Sequence, residues 1–348
     1  MEALKDIGGP AQPLLTITGL VKHFPLKKDP LGRGGGVVRA VDGVDFEVMK
    51  GETLGVVGES GCGKSTTARL LMQLIEPTRG EVIFDGREVG SRDLPLKEFR
   101  RQVQMVFQDS YASLNPRLTI EDSVAFGPQV HGVSRRESVA RARDLLARVG
   151  LAPQRFAERY PHELSGGQRQ RVNIARALAL QPRMVILDEA VSALDKSVEA
   201  QVINLLLDLK TEFGLTYVFI SHDLNVVRYV SDRVMVMYLG QVAEIGPADA
   251  LYETPAHPYT RALLSSMPSM DPDHRTEVAA LAGDPPNPIN PPSGCRFHPR
   301  CSIAAPVCSQ IVPERIATDS QHAVSCLVHE PGSGHPMAQP QPFRRRVA

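Results

Sequence analysis

Eight residues constrain the fold more tightly than any other part of this chain. Gly58-Glu-Ser-Gly-Cys-Gly-Lys-Ser65 follows the apolar run Thr53–Val57 and precedes a helical pattern from Lys64 to Ile75, with Ala68, Leu71 and Ile75 on one side. A glycine-rich loop between a strand and a helix, closing on Lys-Ser, is the pattern that wraps backbone amides around phosphate. Gly58, Gly61 and Gly63 let the main chain approach an anion closely, and Ser60, Cys62 and Thr66 complete the lining. Cys62 reads as a small filler there, not a redox centre. The helix starting near Lys64 adds the positive end of its dipole. Lys64 is the cation for the β- and γ-phosphates, and the Ser65 hydroxyl is a ligand for Mg2+.

Two later segments supply what such a loop needs for chemistry. Met184-Val-Ile-Leu-Asp-Glu189 is an apolar strand ending in two carboxylates. Asp188 is placed to join the Mg2+ shell, and Glu189, facing the other way, can orient or deprotonate an attacking water. Leu164-Ser-Gly-Gly-Gln168 opens a second helix with Ser165 and the bare amides of Gly166 and Gly167, another anion site. One chain has no second triphosphate to place there, so this site is expected to serve nucleotide held by a partner subunit.

The surrounding pattern alternates. Strands are expected across residues 14 to 57, broken by a turn at Gly32, Gly34, Gly35 and Gly36, and again at 81–84, 103–107, 184–187, 215–220 and 233–237. Residues 119 to 180 are mostly helical, with Val139, Ala142, Leu146 and Val149 as one buried stripe. A later helix places Val198, Val202, Leu205 and Leu209 on one face. Strands alternating with helices predict an α/β fold with a largely parallel, doubly covered sheet and an inserted helical subdomain. Charge is balanced, 39 basic against 39 acidic residues, which gives no basic face for nucleic acid. No apolar run reaches the ~20 residues of a membrane-spanning helix. The first residues carry no apolar signal core, so the chain is expected to stay in the cytoplasm.

In this order the motifs resemble the ATP-binding cassette (ABC) proteins from about residue 14 to 253. That resemblance implies a RecA-like P-loop NTPase core and ATP as substrate. Carried over by motif, Gln108 in Val106-Phe-Gln-Asp109 matches the glutamine that touches Mg2+ and water. Ser192-Ala-Leu-Asp195 matches the loop linking two composite sites, with Asp195 at its end, and His222 in Ile220-Ser-His-Asp223 matches the histidine at the γ-phosphate. The signature set is Ser165, Gly166, Gly167 and Gln168. Phe24 is the candidate for stacking on adenine, with a core phenylalanine at a strand end as its alternative. Ala190 departs from the proline most members carry after the glutamate, but both carboxylates remain.

A narrower resemblance, to ATPase subunits of bacterial oligopeptide/dipeptide importers, rests on Ser113-Leu-Asn-Pro-Arg117, Tyr160-Pro-His-Glu163, His257-Pro-Tyr-Thr-Arg-Ala-Leu263 and Gly294-Cys-Arg-Phe-His-Pro-Arg-Cys301. It implies ATP hydrolysis that drives solute import through closure of paired cassettes. The implied partners are a second, non-identical ATPase subunit, two permeases and an extracellular binding protein, with this chain peripheral on the cytoplasmic membrane face. The alternative is a non-transport ABC ATPase acting on DNA or the ribosome. Residues 1–253 are expected to form the nucleotide-binding domain, with its helical subdomain at about 110–180. Residues 254–330 form an extension with four cysteines, and 331–348 a disordered tail. Five, six and seventeen residues separate Cys295, Cys301, Cys308 and Cys326, a spacing that selects no metal. The resemblance implies a [4Fe–4S] cluster, with zinc as the alternative and His298 and His322 as spare ligands.

Overall fold

A computed structural model describes residue 9 and residues 12–26, 35–267, 283–319 and 321–338. The chain runs through β1 (Pro13–Leu26), β2 (Gly36–Met49), β3 (Thr53–Val57), α1 (Lys64–Leu71), β4 (Arg79–Phe84), β5 (Arg87–Glu88), α2 (Leu96–Gln102) and β6 (Val103–Val106). Four helices follow, α3 (Ile120–Val130), α4 (Arg135–Arg148), α5 (Pro153–Phe156) and α6 (Gly166–Leu178), then β7 (Met184–Asp188), α7 (Lys196–Phe213) and β8 (Thr216–Ile220). The remainder comprises α8 (Leu224–Val230), β9 (Arg233–Tyr238), β10 (Gln241–Pro247), α9 (Ala248–Glu253), α10 (Pro258–Ser265), β11 (Ile316–Ala317) and β12 (Ala323–Val324). Among the described residues no helix is long and apolar enough to cross a membrane. Gly32 and Gly34 of the expected turn lie outside the described residues.

These elements form two interleaved compact units. The first is built from the described residues within 1–15, 47–53 and 83–221. In it β6, β7 and β8 pair in parallel, Val103 opposite Met184 and Met184 opposite Thr216. Every residue of β7 and β8 is buried, as strands covered on both faces require. Helices α3, α4 and α6 pack on one another. The Thr119, Ser134 and Ser165 side chains each accept the backbone N–H three residues on, so all three helices start at a cap. Fully buried Asp85 is neutralised from both sides, by Lys50 at 3.3 Å and Arg183 at 2.8 Å.

The second unit is built from the described residues within 16–46, 54–82 and 222–348. Here β3 runs parallel to β9, Leu54 opposite Arg233, and β10 then pairs antiparallel with β9 and with β12. The expected strand series lacked β10, which carries Glu244 inside it and a bulge between Val242 and Glu244, so it presents neither an apolar run nor a clean alternation. Helix α1 stops at Leu71, short of the expected Ile75, because Gln73 takes a left-handed φ of 52°. On α4 the buried stripe is Ser138, Ala142, Leu145 and Leu146, with Val139 only half-buried. On α7 the buried face runs through Val202, Ile203, Leu206 and Leu209, with Val198 and Leu205 half-buried. The second unit contains both the phosphate loop and described residues beyond 253.

Candidate functional site

The loop Gly58–Ser65 emerges from wholly buried β3 in the second unit. Gly58 has φ 149°, and a Cβ there would lie 2.2 Å from the Met237 carbonyl oxygen. Gly63 has φ 110°, and its Cβ would lie 2.3 Å from the Ala40 carbonyl oxygen. Only glycine serves at either position. Gly63 is the N-cap of α1 and offers no side-chain cap, so the positive end of that helix is open to an anion. The buried Lys64 ammonium donates across the loop to the carbonyls of Gly58 (2.6 Å) and Glu59 (3.2 Å). Ser60 and Gly61 are exposed at the crest, with Ser65 and Thr66 half-buried behind them. Burial raises the Cys62 thiol above its ordinary range despite Lys64 nearby. It is therefore a neutral filler in the loop wall.

In the first unit Asp188 ends β7, buried, and Glu189 follows in a left-handed conformation with φ 48°. That strained backbone is held by the Glu189 N–H donating to Ile220 O at 2.9 Å. Gln108 Nε2 donates to Glu189 Oε2 at 2.9 Å, so these two residues meet although 81 positions apart. Ser165 caps α6 reciprocally. Its hydroxyl accepts the Gln168 N–H at 3.3 Å, and the Gln168 side chain accepts the Ser165 N–H at 3.0 Å. Gly167 cannot carry a side chain, since its Cβ would lie 2.4 Å from Val198 Cγ1, whereas a Cβ on Gly166 meets only Leu194 at 3.8 Å. Asp195 is the N-cap of α7 without a side-chain cap bond. Sequence reasoning missed Asn173 and Arg176, whose side chains donate to the carbonyls of Ser110 and Ser113. They tie α6 to the segment after Gln108.

His222 and Phe24 belong with the second unit. His222 is exposed, and the following Asp223 caps α8 by accepting the N–H groups of Asn225 and Val226. Phe24 is 37% exposed with the Lys22 ammonium 5.1 Å from its ring centre, so the core alternative does not hold. The candidate residues thus form two groups: Lys64 with its loop, His222 and Phe24 in one unit, and Gln108, Asp188, Glu189, Ser165–Gln168 and Asp195 in the other.

Cys295, Cys301, Cys308 and Cys326 line one small cavity of about 20 Å3 together with Phe297, His257, His298 and His335. Burial pushes the Cys295 thiol up to about 11 and the Cys326 thiol up to about 12, and the other cysteines of the group add to both shifts. Among the described residues no three His, Cys, Asp or Glu side chains are set to hold a metal ion directly. His322 is not at this cavity, which corrects its expected role as a spare ligand. Its ring bonds buried Glu244 at 2.7 Å. His335 is buried with its ring 3.1 Å from Ile303 O, so the tail expected to be disordered from 331 is folded through at least that residue. The rest of that expectation, from 339 on, lies outside the described residues.

A phosphate loop on a parallel strand, a buried Asp followed by a Glu, and a second capped Ser-Gly-Gly helix define an ATP-hydrolysing cassette. Residues 41–192 match the ABC transporter family, and residues 243–308 match the oligopeptide/dipeptide transporter C-terminal region. The chain is 50% identical over 321 residues to the oligopeptide transport ATP-binding protein AppF of Bacillus subtilis, covering 91% of this chain and 97% of that one. It is 50% identical over 315 residues to the di/tripeptide transport ATP-binding protein DppF of Pseudomonas aeruginosa, covering 90% and 97%. A dimeric post-hydrolysis structure of the ATP-binding cassette MJ0796, bound to ADP and Pi, superposes with a TM-score of 0.58 and 30% identity, over 67% of this chain and 98% of that one. The chain belongs to the ABC transporter family, and it is an ATPase.

Proposed function

We propose that this ATPase energises the import of peptides through a membrane transporter. The observation that carries this is the match of residues 243–308 to the oligopeptide/dipeptide C-terminal region, supported by relatives named for oligopeptide and di/tripeptide transport. The chain would sit on the cytoplasmic membrane face beneath two permeases fed by an extracellular binding protein, beside a second, non-identical cassette. Nothing in the matched regions favours the alternative of a non-transport ATPase on DNA or the ribosome. Residues 1–253 would carry nucleotide, with the helical insertion at about 110–180, and 254–330 would form the cysteine-bearing extension.

In the proposed reaction a water oxygen attacks the γ-phosphorus in line. The bond from that phosphorus to the β–γ bridging oxygen breaks, and ADP and phosphate leave. Glu189 orients the water and accepts its proton, and its left-handed backbone and the Gln108 bond fix the carboxylate's aim. Lys64 and the loop amides take the developing negative charge, and His222 is assigned to the γ-phosphate. Ser65, Asp188 and Gln108 offer hard oxygen donors of the kind that hold Mg2+, which would neutralise phosphate charge when bound. The signature residues Ser165–Gln168 are assigned to the partner cassette's nucleotide, and Phe24 to adenine. Glu189→Gln keeps the shape but removes the base. Turnover in the assembled transporter should fall by at least about a hundredfold while ATP still binds, leaving a closed, ATP-loaded pair. Near-normal hydrolysis by that variant would refute the assignment.

For the four cysteines we propose a [4Fe–4S] cluster. Zinc bound by the same thiols, with His298 beside them, is the alternative. Four thiolates are the usual ligand set of such a cluster, and its positive irons would favour deprotonation of thiols that burial otherwise keeps neutral.

A further inference from the structure

The cysteine segment is bonded to the phosphate loop. Arg300, immediately before Cys301, reaches Glu59 with both ends of its guanidinium. Nη1 donates to Oε2 at 2.7 Å and Nη2 to Oε1 at 3.0 Å. The arginine side chain is only 5% exposed, and such a two-pronged, shielded pair fixes direction as well as distance. The Glu59 backbone N–H donates to the Tyr259 hydroxyl at 2.9 Å. Glu59 is therefore held at main chain and side chain by two residues from beyond position 253, between Gly58 and the exposed crest Ser60–Gly61.

Both holding residues are themselves anchored. Tyr259 is fully buried, its ring centre 4.6 Å from Tyr238 and 5.3 Å from Phe297. Arg300 ends a short turn in which its N–H donates to Phe297 O at 3.0 Å and the His298 N–H to Cys295 O at 3.0 Å. That turn spans Cys295 to Cys301, so the distance between two cavity-lining thiols and the position of Arg300 are set by the same few residues. Asn287 and its flanking prolines Pro285, Pro286 and Pro288 line a cavity together with Glu59 to Cys62, a further contact of this region with the loop.

We propose that Arg300 and Tyr259 are positioning residues for the phosphate loop, and that through them nucleotide binding and the integrity of the four-cysteine site are energetically linked. The proposal rests on the loop being the nucleotide site, and it holds whatever group fills the cysteine cavity. A loop held at Glu59 presents its amides already arranged, so less order has to be imposed when phosphate binds. Linkage is reciprocal: what loosens the Cys295–Cys301 turn weakens nucleotide, and nucleotide tightens that turn.

The test uses the full chain and MgADP, with affinity measured by calorimetry and folding checked by thermal unfolding. Arg300→Ala should weaken MgADP about tenfold, within the usual range for coupled sites. Arg300→Lys, which keeps charge but loses the fork, should recover only part of it, and Tyr259→Phe should show a smaller loss. The loss from Arg300→Ala should vanish when Glu59 is already Gln, an outcome that general destabilisation would not give. Saturating MgADP should slow iodoacetamide labelling of Cys295 and Cys301 severalfold in the wild-type chain and not in Arg300→Ala. Unchanged MgADP affinity in folded Arg300→Ala, or losses that simply add in the double variant, would overturn the proposal. A wild-type chain that fails to bind MgADP would overturn both this proposal and the nucleotide-site reading beneath it.

Discussion

Gly58 and Gly63 show why the phosphate loop was legible residue by residue. Each faces a main-chain carbonyl where no Cβ fits, so the spacing of glycines records a steric requirement that composition cannot satisfy otherwise. The cysteines carried no such record. Gaps of five, six and seventeen residues do not encode convergence, which arises from turns at Cys295–Cys301 and Pro306–Ser309. His257 and His335 at the same cavity were invisible for the same reason, and so was Arg300, whose partner Glu59 lies 241 positions away. If a cluster fills the cavity, protein purified without oxygen should be brown and hold iron and labile sulfide at about one cluster per chain. Cys295→Ser or Cys301→Ser should each lose colour and most of the iron, read by metal analysis and absorbance. Stoichiometric zinc in a colourless protein would instead assign the cavity to zinc. The bonds from Arg300 to the loop also mean that these variants should weaken nucleotide binding, where a sequence view of two separate regions expects none.

Among the elements, β3, β7 and β8 were readable because each is a short, wholly buried apolar run. β10 and β12 were not, since β12 is only Ala323–Val324 and β10 carries a buried Glu244 whose ring partner His322 lies 78 positions away. Glu244, fully buried on β10, takes bonds from the His322 ring, the Ala256 N–H (2.7 Å) and the His257 N–H (3.0 Å). Burial alone would raise its pKa, but these bonds outweigh it and leave the carboxyl below its ordinary 4.5. The Glu244 bond in turn raises His322 above 6.5. The Glu244 contribution is complete above pH ~4.5 and fades in acid, and the His322 contribution is complete below pH ~6.5 and fades as pH rises through its raised value. The pair therefore holds β12 most firmly between those limits. His322→Ala leaves a buried carboxylate unpaired and should cost about 3 kcal/mol near pH 6. Thermal unfolding across pH should show the wild type losing stability above pH ~6.5 through this pair and the variant lacking that loss. Equal slopes on the alkaline side would remove His322 from the account.

At the scale of the whole molecule, the proposed function assigns α6 a ligand that this chain's own phosphate loop does not supply. The signature helix α6 was legible from Ser165 to Gln168 because the reciprocal cap is a local pattern. Its expected ligand, nucleotide held by a partner, was inferred from the sequence as well, because one phosphate loop leaves no second triphosphate for this helix within the chain. The MJ0796 cassette was captured as a dimer, and the proposed function gives α6 a partner's nucleotide to contact. Gly166 is the better probe of that contact. A side chain at Gly167 would strike Val198, so loss of function there reports packing, whereas at Gly166 the nearest atom beyond the helix is Leu194 Cδ2 at 3.8 Å. Gly166→Asp should therefore fold and bind MgADP normally as an isolated chain, because its own phosphate loop is untouched. In the assembled transporter it sets a carboxylate against the partner's triphosphate, and hydrolysis should fall by at least about a hundredfold, the cost of one lost donor to a developing oxyanion. The decisive comparison sets nucleotide affinity of the isolated variant beside ATPase activity of the reconstituted complex. If Gly166→Asp weakens binding by the isolated chain as much as Lys64→Ala does, α6 contacts its own nucleotide, and the paired-cassette arrangement fails for this protein.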